Sequence, residues 1–297
     1  MSETLVATAP DLSQDLSQPD FWRRHFPDLT LVGDSKRKTP PKPPKRAGVR
    51  DETLLMAQLG EEGYFQDHNS TLTRLAPRLA AAVRTCVQLD IPPAFIFMFE
   101  EVWEGFQSIH PMLVNALGED YRMLPDFWVW HVNPSAGEAG WRPHRDKGRF
   151  CLAPDGTPNS LSVWVPFVDA TPLNSCIYVL PINRDPTYNT PEEHSWKINI
   201  ASVRALPGGP GDYFAWNQAL LHWGSETSRY APHPRISMAL EFQRGGIEPF
   251  NSPQMTPFQP LDFRFVLKLV GKQILQYKHM YPLAARFESL AQQLLGG

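Results

Sequence analysis

Between residues 120 and 245 the apolar residues come in short runs rather than along helical faces, and this decides what the chain can build. DFWVWHVNP, SLSVWVPFV, NSCIYVLPI, GDYFAWN, ALLHWGS and RISMALEFQ are rich in β-branched and aromatic residues, the types that fit a half-buried pleated surface. Between them lie PSAGEAG, APDGTPN, DATPLN and PGGPG, and clusters of glycine, proline, asparagine and aspartate mark turns. Thirty prolines in 297 residues are about twice the usual share. Proline removes an amide donor and clashes inside a helix, so the composition also disfavours a mainly helical protein. The expectation is a mainly β core, an antiparallel sandwich or barrel, with no repeat of fixed period.

Helical patterns flank this core. Asp51 is a candidate N-cap for DETLLMAQLGEEGYF and Gly63 a candidate terminator, by the usual start and stop signals. Residues 72–89 and 95–117 show apolar residues at i, i+3 and i+4, with Pro77 and Pro111 expected to interrupt or reset them. After Pro260 a helix resumes, with positions 263, 266, 267, 270 and 274 on one face and Arg264, Lys268 and Lys272 on the other. This divides the chain into an N-terminal arm, 1–50, mobile or loosely docked, and a single domain, 51–297. The domain has a helical part at 51–118, a barrel at 120–245 and C-terminal helices at 261–295.

Within the arm, residues 36–50 hold seven basic residues, four prolines and no acid. Proline-rich, self-repelling segments stay extended, and contact with an anionic membrane surface is the sharper use of such a stretch. FWRRHF, 21–26, is a candidate short docked helix. The net charge of −3 gives no global basic field to recruit nucleic acid. Cys86, Cys151 and Cys176 are the only cysteines and share no CxxC spacing, which argues against a zinc ribbon and a disulfide scaffold. With no secretory signal visible in the first residues and no stretch of eighteen apolar residues, a reduced cytoplasmic setting without a transmembrane segment is expected.

The sharpest chemical feature is PHRDKG. His144 and Asp146 are separated by one residue, and positions i and i+2 of a strand project from one face. Downstream, ALLHWGS supplies His222. Two histidines and one carboxylate on one face of an octahedron make the triad of non-haem iron(II) oxygenases and leave three positions open. A surface salt bridge for Asp146 and a core position for His222 are the bland alternatives. HRD also opens the protein-kinase catalytic loop, but that loop needs an asparagine five residues later, where this chain has Cys151. Thirteen residues after His222 comes Arg235, with Ser237 on the same face of an expected strand. A guanidinium fork with a hydroxyl beside it suits a carboxylate, and a structural ion pair is the alternative for Arg235.

Taken in order, HRD…SVWVPFVDATPLNSCIYVLP…PGGPGDYFAWNQALLHWGS…PRISMALEF resembles the phytanoyl-CoA dioxygenase-like branch of the iron(II)/2-oxoglutarate-dependent dioxygenases. The likeness covers about residues 120–245. Trp164 matches the family's strand aromatic, Asn174 its asparagine, Gly211-Asp212 its glycine-aspartate turn, and His222 its distal histidine. Ser175 stands where the family has glycine, PINRDP replaces a glycine-serine-histidine segment, and Trp223 is inserted in HWGS. The resemblance implies a double-stranded β-helix, a jelly-roll or cupin-like barrel with flanking helices. It implies Fe(II) on His144, Asp146 and His222, 2-oxoglutarate anchored by Arg235 and Ser237, and dioxygen as second cosubstrate. It also implies His131, Trp141 and Trp164 as pocket residues near the cosubstrate. The implied reaction hydroxylates an unactivated C–H of a small or medium organic substrate, with release of succinate and CO2. Related halogenases carry a small residue at the carboxylate position, so Asp146 favours hydroxylation or desaturation over halogenation.

Other readings stay open: a non-catalytic jelly-roll binding protein, a cupin-like metal enzyme without 2-oxoglutarate, and an oxygenase acting on a lipid-linked substrate through peripheral membrane contact. Lys147 and Arg149 are candidates for meeting an anionic substrate, with solvated charge as the alternative. A monomer or a homodimer fits equally well.

Overall fold

The computed structural model describes residues 15–34, 50–281 and 283–296. Most of the basic stretch 36–50 lies outside the described residues. Part of the expected arm is firmly packed: helix α1, Pro19–His25, opens with Pro19, a position where the missing amide costs nothing. It buries Trp22 completely, 5.3 Å from the Phe95 ring and donating from Nε1 to the Leu16 carbonyl.

Helix α2, Glu52–Glu62, begins where Asp51 accepts from Thr53 N and Leu54 N, satisfying amides the helix leaves unpaired. Gly63, at φ 84°, ends it in the left-handed conformation. A strand not expected from the sequence follows, β1, Tyr64–His68. Helix α3, Ser70–Gln88, runs straight through Pro77, against the expected interruption. Its buried stripe, including Leu72, Leu75, Leu79 and Val83, offsets the missing hydrogen bond. The expected helix 95–117 is instead a 3-10 segment, Pro93–Met98, followed by α4, Glu100–Gln107, and α5, His110–Leu117. Pro111 sits in the first turn of α5, where it is tolerated.

The strands follow: β2, Arg122–Val132; β3, Ser160–Pro166; β4, Ile177–Leu180; β5, Arg204–Leu206; β6, Asp212–Asn217; β7, Leu221–Gly224; and β8, Arg235–Gln243. Only β5 lacks a sequence counterpart among them. Helices α6, Phe263–Tyr277, and α7, Ala285–Gly296, complete the described chain. Among the described residues no helix is long and apolar enough to cross a membrane.

All pairing is antiparallel, in a five-stranded sheet ordered β1-β6-β3-β8-β2 and a three-stranded sheet ordered β5-β4-β7. Alternation sorts the side chains. On β3 and β8, Leu161, Val163, Val165, Ile236, Met238, Leu240 and Phe242 join one large core with the helices. The opposite face gives Trp164 and, from β6, Phe214 and Trp216 to a smaller core with Ile177 and Val179 of the minor sheet. The protein is thus a helix layer on one sheet of a jelly-roll-type core with flanking N- and C-terminal helices. The site lies between the two sheets.

Helix α6 buries Val266, Leu267, Val270 and Ile274 against β2, the 93–98 segment and α7. It also repairs an irregularity: the β2–β8 register shifts between Met123 and Phe127. There Gln273 accepts from Phe127 N at 3.0 Å and donates to the Pro125 carbonyl. A bulge re-aims the side chains it carries, and this one carries Asp126.

Candidate metal centre and its pocket

His144 and His222 are brought together by backbone contact. Each donates its amide to the other's carbonyl at 3.0 Å, adding the 139–144 segment beside β7. Two glycines allow that approach. A Cβ on Gly140 would sit 2.5 Å from the Gly224 Cα, far inside van der Waals contact. Ser175, at φ 73°, accepts from Gly140 N at 3.1 Å. A hydroxyl there ties down the segment, which a glycine cannot do.

Asp146 is not on a strand, contrary to the sequence expectation; it lies in a bend. The alternation of the HRD residues nonetheless holds, because Arg145 points the other way and is locked. Its buried guanidinium pairs with Asp185 at 2.6 Å and donates to Thr187 Oγ1 and to the carbonyls of Ala219 and Glu193. Asp185 belongs to PINRDP, the stretch that departs from the family pattern, so that departure anchors the metal loop.

The three candidate ligands converge. Asp146 Oδ1 lies 3.4 Å from His144 Nε2 and 3.5 Å from His222 Nε2, and the ligand atoms all fall within 4.8 Å of one another. His144 Nδ1 bonds the Arg142 carbonyl at 2.7 Å and His222 Nδ1 the Leu220 carbonyl at 3.1 Å. A carbonyl can only accept, so both Nδ1 atoms carry the proton and both Nε2 lone pairs face the shared point. Among the described residues His144 Nε2 is buried without a hydrogen-bond partner, a position a metal ion fits. Burial pushes His222 down to about 4, which keeps it a neutral donor. Burial opposes ionisation of Asp146, but His222, His144 and Ser162 together hold it well below the usual carboxylate range. Burial opposes protonation of His144, but Asp146 and the Arg142 carbonyl together hold it above its usual value. Two imidazoles and a carboxylate with open space beside them suit a divalent first-row metal, which would displace that proton.

Sequence reading missed the groups that aim Asp146. Its Oδ2 accepts from Ser162 Oγ at 2.6 Å and from Trp216 Nε1 at 3.1 Å, leaving Oδ1 toward the imidazoles. Such supports raise metal affinity through ligand orientation. Ser162→Ala is expected to weaken metal binding by about tenfold, read by competition with a chromogenic chelator; equal affinity in a folded variant would show the hydroxyl is dispensable.

Arg235, 2% exposed, and Ser237, fully buried, sit on the face of β8 that turns away from the helices. No carboxylate pairs with Arg235 among the described residues, and both Arg235 Nε and Ser237 Oγ lack a partner. The guanidinium carbon lies 5.6 Å from the Trp164 ring and 6.0 Å from the Trp130 ring. Burial lowers Arg235 to about 10, still cationic at neutral pH. Arg235, Trp164, Trp141 and the triad line one cavity between the two sheets. Trp141 lies edge-on to His144 at 5.5 Å and donates to the Tyr281 hydroxyl at 2.5 Å.

His131 falls on the other face of β2 from Trp130 and does not line this cavity. The period-two alternation of β2 turns it, with Val129, to the helix-packed face instead of the cavity. Lys147 is no solvated charge: it pairs with Glu241 at 2.6 Å inside the molecule. Arg149 is exposed beside Phe150.

An antiparallel double-sheet core that gathers His-x-Asp and a distant histidine on one point defines a class, the non-haem metal oxygenases of jelly-roll fold. Within that class the chain belongs to the phytanoyl-CoA dioxygenase family, whose pattern matches residues 70–230, more than half of the chain. No curated protein matches it in sequence. Among solved structures, it is similar to the non-haem α-ketoglutarate-dependent carbocyclase SnoK from nogalamycin biosynthesis, with 12% identity, a TM-score of 0.52 and coverage of 75% of this chain and 97% of that one. The apo non-haem monooxygenase ThoJ matches at 12% identity and TM-score 0.51, over 82% of this chain and 99% of that one. The epimerase SnoN, in complex with Fe3+, α-ketoglutarate and nogalamycin RO, matches at 16% identity and TM-score 0.50, over 71% and 93%. At these identities the likeness is one of fold.

Proposed function

We propose that the protein is an iron(II)- and 2-oxoglutarate-dependent oxygenase that hydroxylates a C–H bond of a small or medium organic substrate. The observation that carries this reading is Arg235: a buried guanidinium without a carboxylate partner among the described residues, in the same cavity as the triad. His144 Nε2, Asp146 Oδ1 and His222 Nε2 would hold the metal, and Arg235 with Ser237 would hold the distal carboxylate of the cosubstrate. Bound iron and 2-oxoglutarate supply the oxidising power, coupling reduction of dioxygen to loss of CO2 and formation of succinate.

The chain's own residues do the rest. Ser162 and Trp216 fix one carboxylate oxygen of Asp146 so that the other faces the imidazoles. Two backbone carbonyls keep the histidine protons on Nδ1. Trp141, Trp164 and Trp216 wall the cavity, limiting water and confining the substrate. The fold relatives include an epimerase and a carbocyclase, so fold alone does not select hydroxylation; the retained carboxylate Asp146 supports it over halogenation.

Anaerobic titration with Fe(II) and 2-oxoglutarate tests the reading. A weak visible charge-transfer band that needs both additions is expected. No band and no metal uptake would favour a binding protein of the same fold, and oxygen consumption independent of 2-oxoglutarate would favour a cupin-like metal enzyme.

A further inference from the structure

Beyond the triad and Arg235, the cavity has a second polar end that none of the chemistry above uses. One face of β8 carries Arg235, Ser237, Ala239 and Glu241, of which Arg235, Ala239 and Glu241 line the cavity, so a cation lies at one end of the strand and a carboxylate at the other. Register places Glu241 opposite Ser162, the residue that supports Asp146. Beside it the bulge in β2 carries Asp126, which is 3% exposed and lines the same cavity.

Two cations, Lys147 and Lys272, lie close enough to attract Asp126, yet each makes its hydrogen bonds elsewhere. Glu241 is held by Lys147 at 2.6 Å. Asp126 Oδ1 accepts from Asn251 Nδ2 and Gln276 Nε2, each at 2.7 Å. Lys272, on the neighbouring helix, donates instead to Asn251 Oδ1 and the Ser252 carbonyl. Asp126 Oδ2 is buried and has no hydrogen-bond partner among the described residues. A buried carboxylate oxygen without a donor is costly unless something supplies one. The cavity it lines is walled by aromatic rings: Trp128 meets Tyr277 at 5.1 Å, and Tyr277 meets Trp141 at 5.2 Å. Aromatic walls around a carboxylate attract organic cations.

We infer that Asp126, with Trp128 and Tyr277, forms the substrate-recognition end of the cavity and takes the ammonium group of an amine-bearing substrate. The inference rests on the oxygenase reading for where the substrate's reacting carbon sits, between this end and the metal. Asp126 Oδ2 accepts from the ammonium N–H, Tyr277 and Trp128 face its charge, and Lys147 stays engaged with Glu241. Substrate and cosubstrate are thereby kept apart by charge, the dicarboxylate drawn to Arg235 and the amine to Asp126.

The test uses the full chain loaded anaerobically with Fe(II) and 2-oxoglutarate, and three probes of matched shape: phenethylammonium, 2-phenylethanol and phenylacetate. Binding is read by tryptophan fluorescence and calorimetry. Phenethylammonium is expected to bind about tenfold or more tighter than the other two, the usual advantage of a charge-assisted hydrogen bond. Asp126→Asn keeps an acceptor for Asn251 and Gln276 but replaces Oδ2 with a donor, and should remove most of that preference while 2-phenylethanol binds as before. Tyr277→Leu should weaken the ammonium about threefold more than the alcohol. Equal affinities for the three probes in the wild type would overturn the inference, as would an undiminished preference in folded Asp126→Asn. Should that variant not fold, the wild-type comparison and Tyr277→Leu decide. A missing charge-transfer band with the ammonium preference intact would sink the oxygenase reading and leave the cation site standing; the reverse pattern sinks the cation site alone.

Discussion

Asp146→Ala is expected to lower 2-oxoglutarate-dependent succinate formation by about 1000-fold or more, well beyond the loss from removing a supporting group around a metal ligand. The carboxylate is the single anionic donor between two imidazoles, 3.4 Å and 3.5 Å from their Nε2 atoms. Alanine removes it and also strips Ser162 and Trp216 of their shared acceptor. Iron content after anaerobic loading should fall together with turnover, while circular dichroism confirms that the fold survives. Succinate release at the wild-type rate would remove Asp146 from the metal centre and with it the oxygenase reading.

Arg235→Ala should raise the KM for 2-oxoglutarate by about 100-fold, because truncating one partner of a buried hydrogen-bonded charge pair costs on the order of 2–5 kcal/mol. A smaller effect on kcat is expected, since the residue would bind the cosubstrate's far end rather than its reacting end. Arg235→Lys should recover part of the loss only: an ammonium keeps the charge but cannot make the planar two-point contact. An unchanged KM in folded Arg235→Ala would show that another group holds the distal carboxylate.

Local patterns explain which of these features the sequence discloses. His144, Asp146, His222, Arg235 and Ser237 are readable because period-two spacing and residue chemistry are both local; the first four line one cavity, and Ser237 lies buried on the same face of β8 as Arg235. Strand spacing alone does not account for the first pair, though. Asp146 sits in a bend, and its orientation comes from Arg145 locked on Asp185 forty positions away. Pro77 shows the limit of propensity, since a buried apolar stripe carries α3 through it. Phe95–Met98 shows the limit of periodicity: the apolar run is a buried 3-10 turn. His131 shares its strand with Trp130, and one position of alternation separates the pocket from the helix-packed face.

The groups at the cation-selective end had no local signal. Asp126 depends on a register shift, and Tyr277 on where the last turn of an amphipathic helix meets a sheet. A helical repeat of apolar residues says that one face is covered, not what its end reaches.

Helix α6 serves the site without contributing a metal ligand. Gln273 splints the bulge that aims Asp126, Gln276 holds one oxygen of that carboxylate, and Tyr277 forms part of the wall. Oxidative machinery and choice of guest are therefore written in separate stretches of polypeptide, the first in residues 144–237 and the second shared with a segment that begins after residue 260. Exchanging that last segment between related enzymes would re-tailor the guest chamber while the redox hardware stayed in place.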